Sequence, residues 1–216
     1  MLKRHTDNTN IKQYKDQQYQ GYPVLQCIMS EPYLGKIKTT IERALQEHPR
    51  TLAIRFDLRI PYWMGEVDTA MISRFLASLR AKIDADLRRK SCDGSRVYPC
   101  TLRHIWAREQ DSSHHWHYHC VIFLNRDAYF TRGDITAEKG NTAARIQQAW
   151  ASALGVDFYT ASGLVDFTRD GVFHLDAHSA DLNHDAGELF KAASYLAKVM
   201  TKHYGDGTKN FSCSNI

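Results

Sequence analysis

Apolar positions recur at helical spacing from Glu31 to Glu47, at Leu34, Ile37, Ile41, Ala44 and Leu45, and Pro49 stops the run. Thr51–Ile60 alternates instead. Leu52, Ile54, Phe56, Leu58 and Ile60 face one way, and Ala53, Arg55, Asp57 and Arg59 the other. Helical spacing returns over Val67–Arg89, at Met71, Phe75, Leu79, Ile83 and Leu87, before a turn around Asp93-Gly94. Tyr98–Glu109 and His115–Leu124 read as strands joined by the polar Gln110–Ser113, which predicts a β-hairpin. Asn141–Leu154 is helical and ends at Gly155, a natural C-terminal stop. Leu164–Thr168 and Val172–Asp176 flank Arg169-Asp170-Gly171 and predict a second hairpin, and a last helix covers about Ala186–His203, stopping at Gly205. Residues 1–30 are rich in Gln, Asn, Lys and Tyr and carry no period. They read as an N-terminal arm or linker with little structure of its own, ahead of a single domain over residues 31–216.

That element order predicts an α+β protein, a ferredoxin-like sandwich: a central antiparallel sheet of about five strands with helices packed on one face and the other face free. The Thr51–Ile60 strand and the His115–Leu124 strand are expected as neighbours in its middle, their apolar faces under the helices Val67–Arg89 and Asn141–Leu154.

Composition narrows the class. A chain of 216 residues with 43% hydrophobic and 24% charged positions is not a disordered chain, a collagen-like fibre or a coiled-coil rod. It has no apolar run near the ~18 residues that span a bilayer, and Met1–Asn10 is polar rather than leader-like, so a soluble, cytoplasmic protein is expected. The formal charge of +4 fits a polyanionic partner without requiring one. Five cysteines with no C-x-x-C spacing argue against a disulfide framework or a cysteine-rich zinc site.

Histidine carries more information. On the strand His115–Leu124, Trp116, Tyr118, Cys120, Ile122 and Leu124 make one apolar face, whereas His115, His117 and His119 follow one another on the other. Imidazole is the commonest side-chain metal ligand. A hairpin centred on Ser113 places Glu109 opposite His117 on that same face. Two histidines and a carboxylate, with positions left for water or substrate, make a catalytic type of metal site, and the hard carboxylate suits Mg²⁺ or Mn²⁺, with zinc as the alternative. His115 is expected at its rim, as a phosphate contact or a donor to a ligand. The plainer alternative is a surface strand with solvated histidines. Arg55, Asp57 and Arg59 share the face, either to contact phosphates and orient the site or as a structural ion-pair row.

A second feature lies on the last helix. Leu189, Ala193, Leu196 and Met200 form its apolar stripe, and Lys191, Tyr195, Lys198 and Lys202 lie on the far side. A tyrosine among lysines is placed to act as a nucleophile, since ammonium groups favour the phenolate and hold a phosphate against it. A partly exposed tyrosine on an amphipathic helix is the competing reading.

Taken together, His117-Tyr118-His119 and the later Tyr195-Leu196-Ala197-Lys198 resemble the HUH endonuclease superfamily, in its single-tyrosine replication-initiator branch. Thr51–Pro61, the histidine strand and Leu189–Ser214, with Lys202-His203-Tyr204-Gly205-Asp206-Gly207 and Asn210-Phe211, are similar to the YagK/YfjJ C-terminal domain family of prophage and inovirus-type replication proteins. The resemblance implies metal-dependent nicking and joining of single-stranded DNA at an origin or hairpin. Glu109, His117 and His119 would hold the ion, Tyr195 would form a 5′-phosphotyrosyl intermediate, and Lys198 would neutralise the phosphate or the leaving charge. Arg55, Arg59, His115, Lys191 and Lys202 would contact DNA. Position 199 is valine, so a two-tyrosine mechanism is not expected. Gly205-Asp206-Gly207-Thr208-Lys209 is not a nucleotide-binding P-loop, which implies a borrowed host helicase in the cytoplasm of a bacterial cell. Three other readings compete: a non-catalytic nucleic-acid-binding regulator on the same sheet, a relaxase or transposase of the same chemistry, and a structural zinc protein using His174, His178 and His184.

Overall fold

The structure, a computed structural model, describes residues 11–64, 70–110, 116–202, 204 and 207–214. Four two-residue strands come first: β1 (Gln13–Tyr14), β2 (Gln18–Tyr19), β3 (Tyr22–Pro23) and β4 (Met29–Ser30). They are followed by α1 (Glu31–Glu47), β5 (Arg50–Arg59), α2 (Met71–Cys92), β6 (Arg103–Gln110), β7 (Trp116–Asn125), α3 (Thr142–Leu154), α4 (Phe158–Ser162), β8 (Val165–Asp176), α5 (Leu182–Ser194) and β9 (Phe211–Cys213). Five strands form one antiparallel sheet in the order β8-β5-β7-β6-β9, so the histidine strand β7 is central and β5 lies beside it, as expected.

Local chemistry explains the element ends. Pro32 sits in the first turn of α1, where its missing N–H costs nothing, and His48 takes an extended conformation before Pro49. The Asn141 side chain caps α3 by accepting from the Ala144 N–H, and Gly155 closes it at φ 71°.

Both faces of the sheet are covered. Leu52, Ile54, Phe56, Leu58, Trp106, Tyr118, Cys120 and Ile122 pack with α2 (Phe75, Leu79, Ile83) and α3 (Ile146, Trp150), which is the packing expected of that face. The opposite face is not free. Ala53, Ile105, Ala107, Val121, Phe123 and Leu175 lie under α1 (Leu34, Ile37, Ile41) and α5 (Leu189, Phe190, Ala193). The helices therefore occupy two layers rather than one. The physical reason is visible in β7, whose run Cys120–Leu124 is continuously apolar and so demands burial on both sides.

Three further expectations are corrected. From Ile11 onward the supposed arm is structured: β1 pairs with β4 and β2 with β3, and Tyr19, Val24 and Met29 are buried in the second core. Residues 165–176 are not a hairpin but one edge strand. Both halves of β8 pair with β5 around a bulge between Ile54 and Phe56, which takes up residues 168–171. A Cβ at Gly171 would lie 2.7 Å from the Arg55 carbonyl oxygen, so glycine is what lets this bulge close on β5. Finally, the last helix ends early. After Ser194 one 3₁₀ turn, Tyr195–Ala197, follows, and Lys198 is extended at ψ 137°. Among the described residues, no helix is long and apolar enough to cross a membrane.

Candidate metal centre and tyrosine

On the α1/α5 face the central strands run from apolar to polar in register. Phe123 and Val121 give way to His119 and His117 on β7, Ile105 and Ala107 to Glu109 on β6, and Ala53 to Arg55, Asp57 and Arg59 on β5. The apolar half anchors the covering helices, and the polar half is left at the end of the sheet where the site forms. Glu109 is paired directly with His117, the register expected from the hairpin.

One ligand atom each from Glu109, His117 and His119 lies within 4.8 Å of the others. The two Nε2 atoms are 3.1 Å apart, and His119 Nε2 is 3.5 Å from Glu109 Oε2. Adjacent donors on an ion at bond lengths of ~2.1 Å would be ~3 Å apart, so the donor set fits a small divalent cation. Asp57 supports it from the strand alongside. Its Oδ1 lies 2.7 Å from His119 Nδ1, which fixes the ring and turns Nε2 toward His117. Burial disfavours the His119 imidazolium, but Asp57 and Glu109 outweigh it and raise its pKa above the usual value.

Glu109 is almost fully buried and held on every side. Lys202 donates to Oε1 at 2.7 Å, the Thr201 hydroxyl donates to Oε2, and Lys198 Nζ is 3.6 Å from Oε2. Burial opposes ionisation of its carboxyl, but the hydrogen bond from His119 and the Lys202 ammonium hold it well below the usual carboxylate range.

Tyr195 stands edge-on against His119, with ring centroids 4.8 Å apart. Lys198 Nζ donates to the Tyr195 hydroxyl at 3.1 Å, and the Arg55 guanidinium lies 5.0 Å from the centre of the tyrosine ring. The 3₁₀ turn keeps Tyr195 and Lys198 together, because i and i+3 eclipse in that geometry. The N-terminal segment holds this turn from outside. The Val199 N–H donates to the Ile28 carbonyl, Met29 bridges to Lys198, and the Leu25 N–H donates to the Ser194 hydroxyl.

The structure thus gathers Glu109, His117, His119, Tyr195, Lys198 and Arg55. It does not gather the rest of the expected residues. Lys202, expected as an exposed DNA contact, is buried against Glu109, and Met200, expected in the apolar stripe, is 79% exposed. Both differences follow from the chain leaving the helix at Lys198. Arg59 faces Asp166 at 3.4 Å, a surface ion pair, and Lys191 stays exposed on α5. His115 lies outside the described residues. His174 binds the Phe130 carbonyl and forms no metal-capable group with His178 or His184 among the described residues, which leaves the structural-zinc reading without a site. Thr201, the pairing of Lys202 with Glu109 and the strap of residues 25–29 had no signal in the sequence. Asp57 had one, its position on the face of the histidines.

Fold and site define a class: an α+β protein that brings a two-histidine, one-carboxylate cluster and a tyrosine together at one end of a five-stranded antiparallel sheet. The chain belongs to the YagK/YfjJ C-terminal domain family, whose signature matches residues 14–214. It is similar to the uncharacterized protein YagK of Escherichia coli (strain K12), 36% identical over 193 residues that cover 85% of this chain and 92% of that protein. It is also similar to the uncharacterized protein YfjJ of the same strain, 33% identical over 195 residues covering 84% and 93%. No solved structure matches the chain.

Proposed function

We propose that the protein is an HUH-type, ferredoxin-like single-tyrosine nickase and ligase of single-stranded DNA, initiating rolling-circle replication of a phage, prophage or plasmid in the bacterial cytoplasm. The observation that carries the reading is the contact of Tyr195 with His119, with Lys198 on the tyrosine hydroxyl. Glu109, His117 and His119 would hold Mg²⁺ or Mn²⁺. The ion, when bound, supplies Lewis-acid polarisation of the scissile phosphate.

The remaining chemistry belongs to the chain. Lys198 stays protonated: burial works against its charge, but the Tyr195 hydroxyl and Glu109 raise its pKa. It therefore stabilises a phenolate instead of taking its proton, which leaves to solvent. The Tyr195 oxygen forms a bond to phosphorus as the bond to the 3′ oxygen breaks, giving a 5′-phosphotyrosyl enzyme and a free 3′-hydroxyl once that oxygen gains a proton. Arg55 and Lys198 offset the phosphate charge, and attack by a 3′-hydroxyl reverses the reaction to join strands. A partner helicase would open the duplex.

Incubation with single-stranded oligonucleotides and Mn²⁺, followed by denaturing gels and mass spectrometry, tests this. A covalent adduct on Tyr195 is expected, lost in Tyr195→Phe with DNA binding retained. Oligonucleotide substrates shaped as plasmid-mobilisation or transposon ends would distinguish a relaxase or transposase. One observation favours the competing, non-catalytic regulator: Lys202 and Thr201 already satisfy the Glu109 carboxylate without an ion. DNA binding with no adduct under any metal condition would decide for it.

A further inference from the structure

A cavity of about 530 Å³ opens on the other face of the sheet, between α2, strand β6, the edge strand β9 and the loop before β9. That volume is within the ~300–1,000 Å³ of small-molecule sites. Its apolar part is Ile72, Leu76 and two aromatic rings, Trp106 and Tyr118, in edge contact at 5.8 Å. Its polar part is cationic. Arg80 on α2 and Lys209 on the loop are both exposed, Arg108 comes from β6, burial keeps the neighbouring His104 imidazole neutral, and no carboxylate is among the described lining residues.

The loop is held in shape for this. The buried Arg108 side chain donates to the Thr208 hydroxyl and to Asn210 Oδ1, at 3.3 Å from Nε and 3.2 Å from Nη2, and its N–H donates to the Asn210 carbonyl. A buried arginine tied to the loop fixes the wall and leaves Arg80 and Lys209 as the accessible cations. The site thus combines an apolar floor, built from Ile72, Leu76 and the largely buried Trp106, with a charged rim. It matches a ligand with one planar apolar part and one anionic part.

We infer that this cavity binds a nucleotide, with the base against Trp106 and Leu76 and the phosphate at Arg80 and Lys209. Apolar contact with the base gives the salt-independent part of the binding, and phosphate contacts add a salt-dependent part. The cavity opens on the face opposite the histidines, so the site is separate from the proposed nicking chemistry.

Calorimetric titration of the full chain with a deoxynucleoside monophosphate, with inorganic phosphate and with a short single-stranded oligonucleotide tests it. Saturable nucleotide binding is expected, at least tenfold tighter than phosphate. The Arg80→Ala/Lys209→Ala variant, which alters only exposed side chains, should weaken it at least tenfold, as should Ala77→Trp, which fills the cavity. Binding of the monophosphate identifies a free nucleotide, and pocket-dependent binding of the oligonucleotide alone identifies a nucleotide within a strand. Tyr195→Phe and His117→Ala should bind as the parent does, so loss of the nicking reading leaves this result standing. Equal affinity for phosphate and nucleotide, or binding unchanged in both pocket variants, overturns the inference.

Discussion

Lys202 shows how one residue can change its meaning between sequence and structure. As an exposed lysine it would only add charge for a DNA backbone. Its side chain is instead fully buried, and its ammonium contacts Glu109 Oε1 and the Lys198 carbonyl. Removing it leaves a buried carboxylate without its closest ammonium partner, a change that costs about 3–5 kcal/mol. Lys202→Met should therefore lower the free energy of unfolding by that amount, measured by urea denaturation with a chelator present. An exposed phosphate contact would cost under ~0.5 kcal/mol. The same environment separates the tyrosines. Burial and the neighbouring Tyr33 push the Tyr204 hydroxyl pKa well up, whereas Tyr118 is buried on the α2/α3 face and Tyr19 and Tyr22 stack on Phe190. Tyr195 alone of these lies against a histidine of the cluster with a lysine on its hydroxyl.

At the scale of elements, the β8 bulge reaches the site through its neighbour strand. Residues 168–171 close on the Arg55 backbone, and the Arg55 side chain lies over Tyr195. Gly171→Ala forces a Cβ against that carbonyl and should cost about 1–3 kcal/mol in a denaturation experiment. Elements with local signals were readable: α1 by its apolar spacing and Pro49, α3 by Asn141 and Gly155, and the β6–β7 register by the polar residues between two alternating runs. Arg169-Asp170-Gly171 is an equally good local signal for a hairpin, but both flanking runs find the same partner, β5, and pairing with a distant strand overrides the turn. The end of α5 had no local signal, since no glycine or proline lies between Gly187 and Gly205. Backbone bonds to Ile28 and Met29 draw the chain out at Lys198, and a helical period extended past that point misplaces Met200 and Lys202. The hairpin-borne half of the site could thus be read from spacing, and the part built by residues 25–29 and 199–202 could not.

At the scale of the molecule, the two cores are held by different means. The α2/α3 side has a charged tie at Asp86, whose carboxylate contacts Arg145 of α3 at 2.5 Å, Arg89 and Lys90 of its own helix, and the Tyr129 hydroxyl at 3.0 Å. Burial works against its charge, but Lys90, Arg89, Arg145 and Tyr129 outweigh it and lower its pKa to about 2. A depressed acid stabilises the fold above its unfolded value of ~3.9, and that stabilisation is lost as pH falls through the folded value. Asp86→Asn should cost about 2 kcal/mol near neutral pH. Urea denaturation of both proteins from pH ~7 to ~2 should show the gap closing only below pH ~4.

The site side makes the opposite demand on stability, because its donors come mainly from one hairpin. Glu109 and His117 are paired residues of β6 and β7, and His119 follows on the same strand, so an ion there would close no long loop. The sheet is already fixed by apolar packing on both faces, and Lys202 already neutralises Glu109. Metal should then act by mass action on a folded protein and not as a condition of folding. At a hundred times its dissociation constant, Mn²⁺ should add about 2.7 kcal/mol. For a chain of this size that raises the unfolding midpoint by about 5–11 °C. A chelator should remove the rise and leave the circular dichroism spectrum unchanged. His117→Ala should stay folded without gaining the shift, whereas Asp86→Asn, far from the site, should keep it. An equal shift in His117→Ala would place the ion elsewhere. No shift in the parent protein would leave Glu109 to its protein partners and favour the non-catalytic reading.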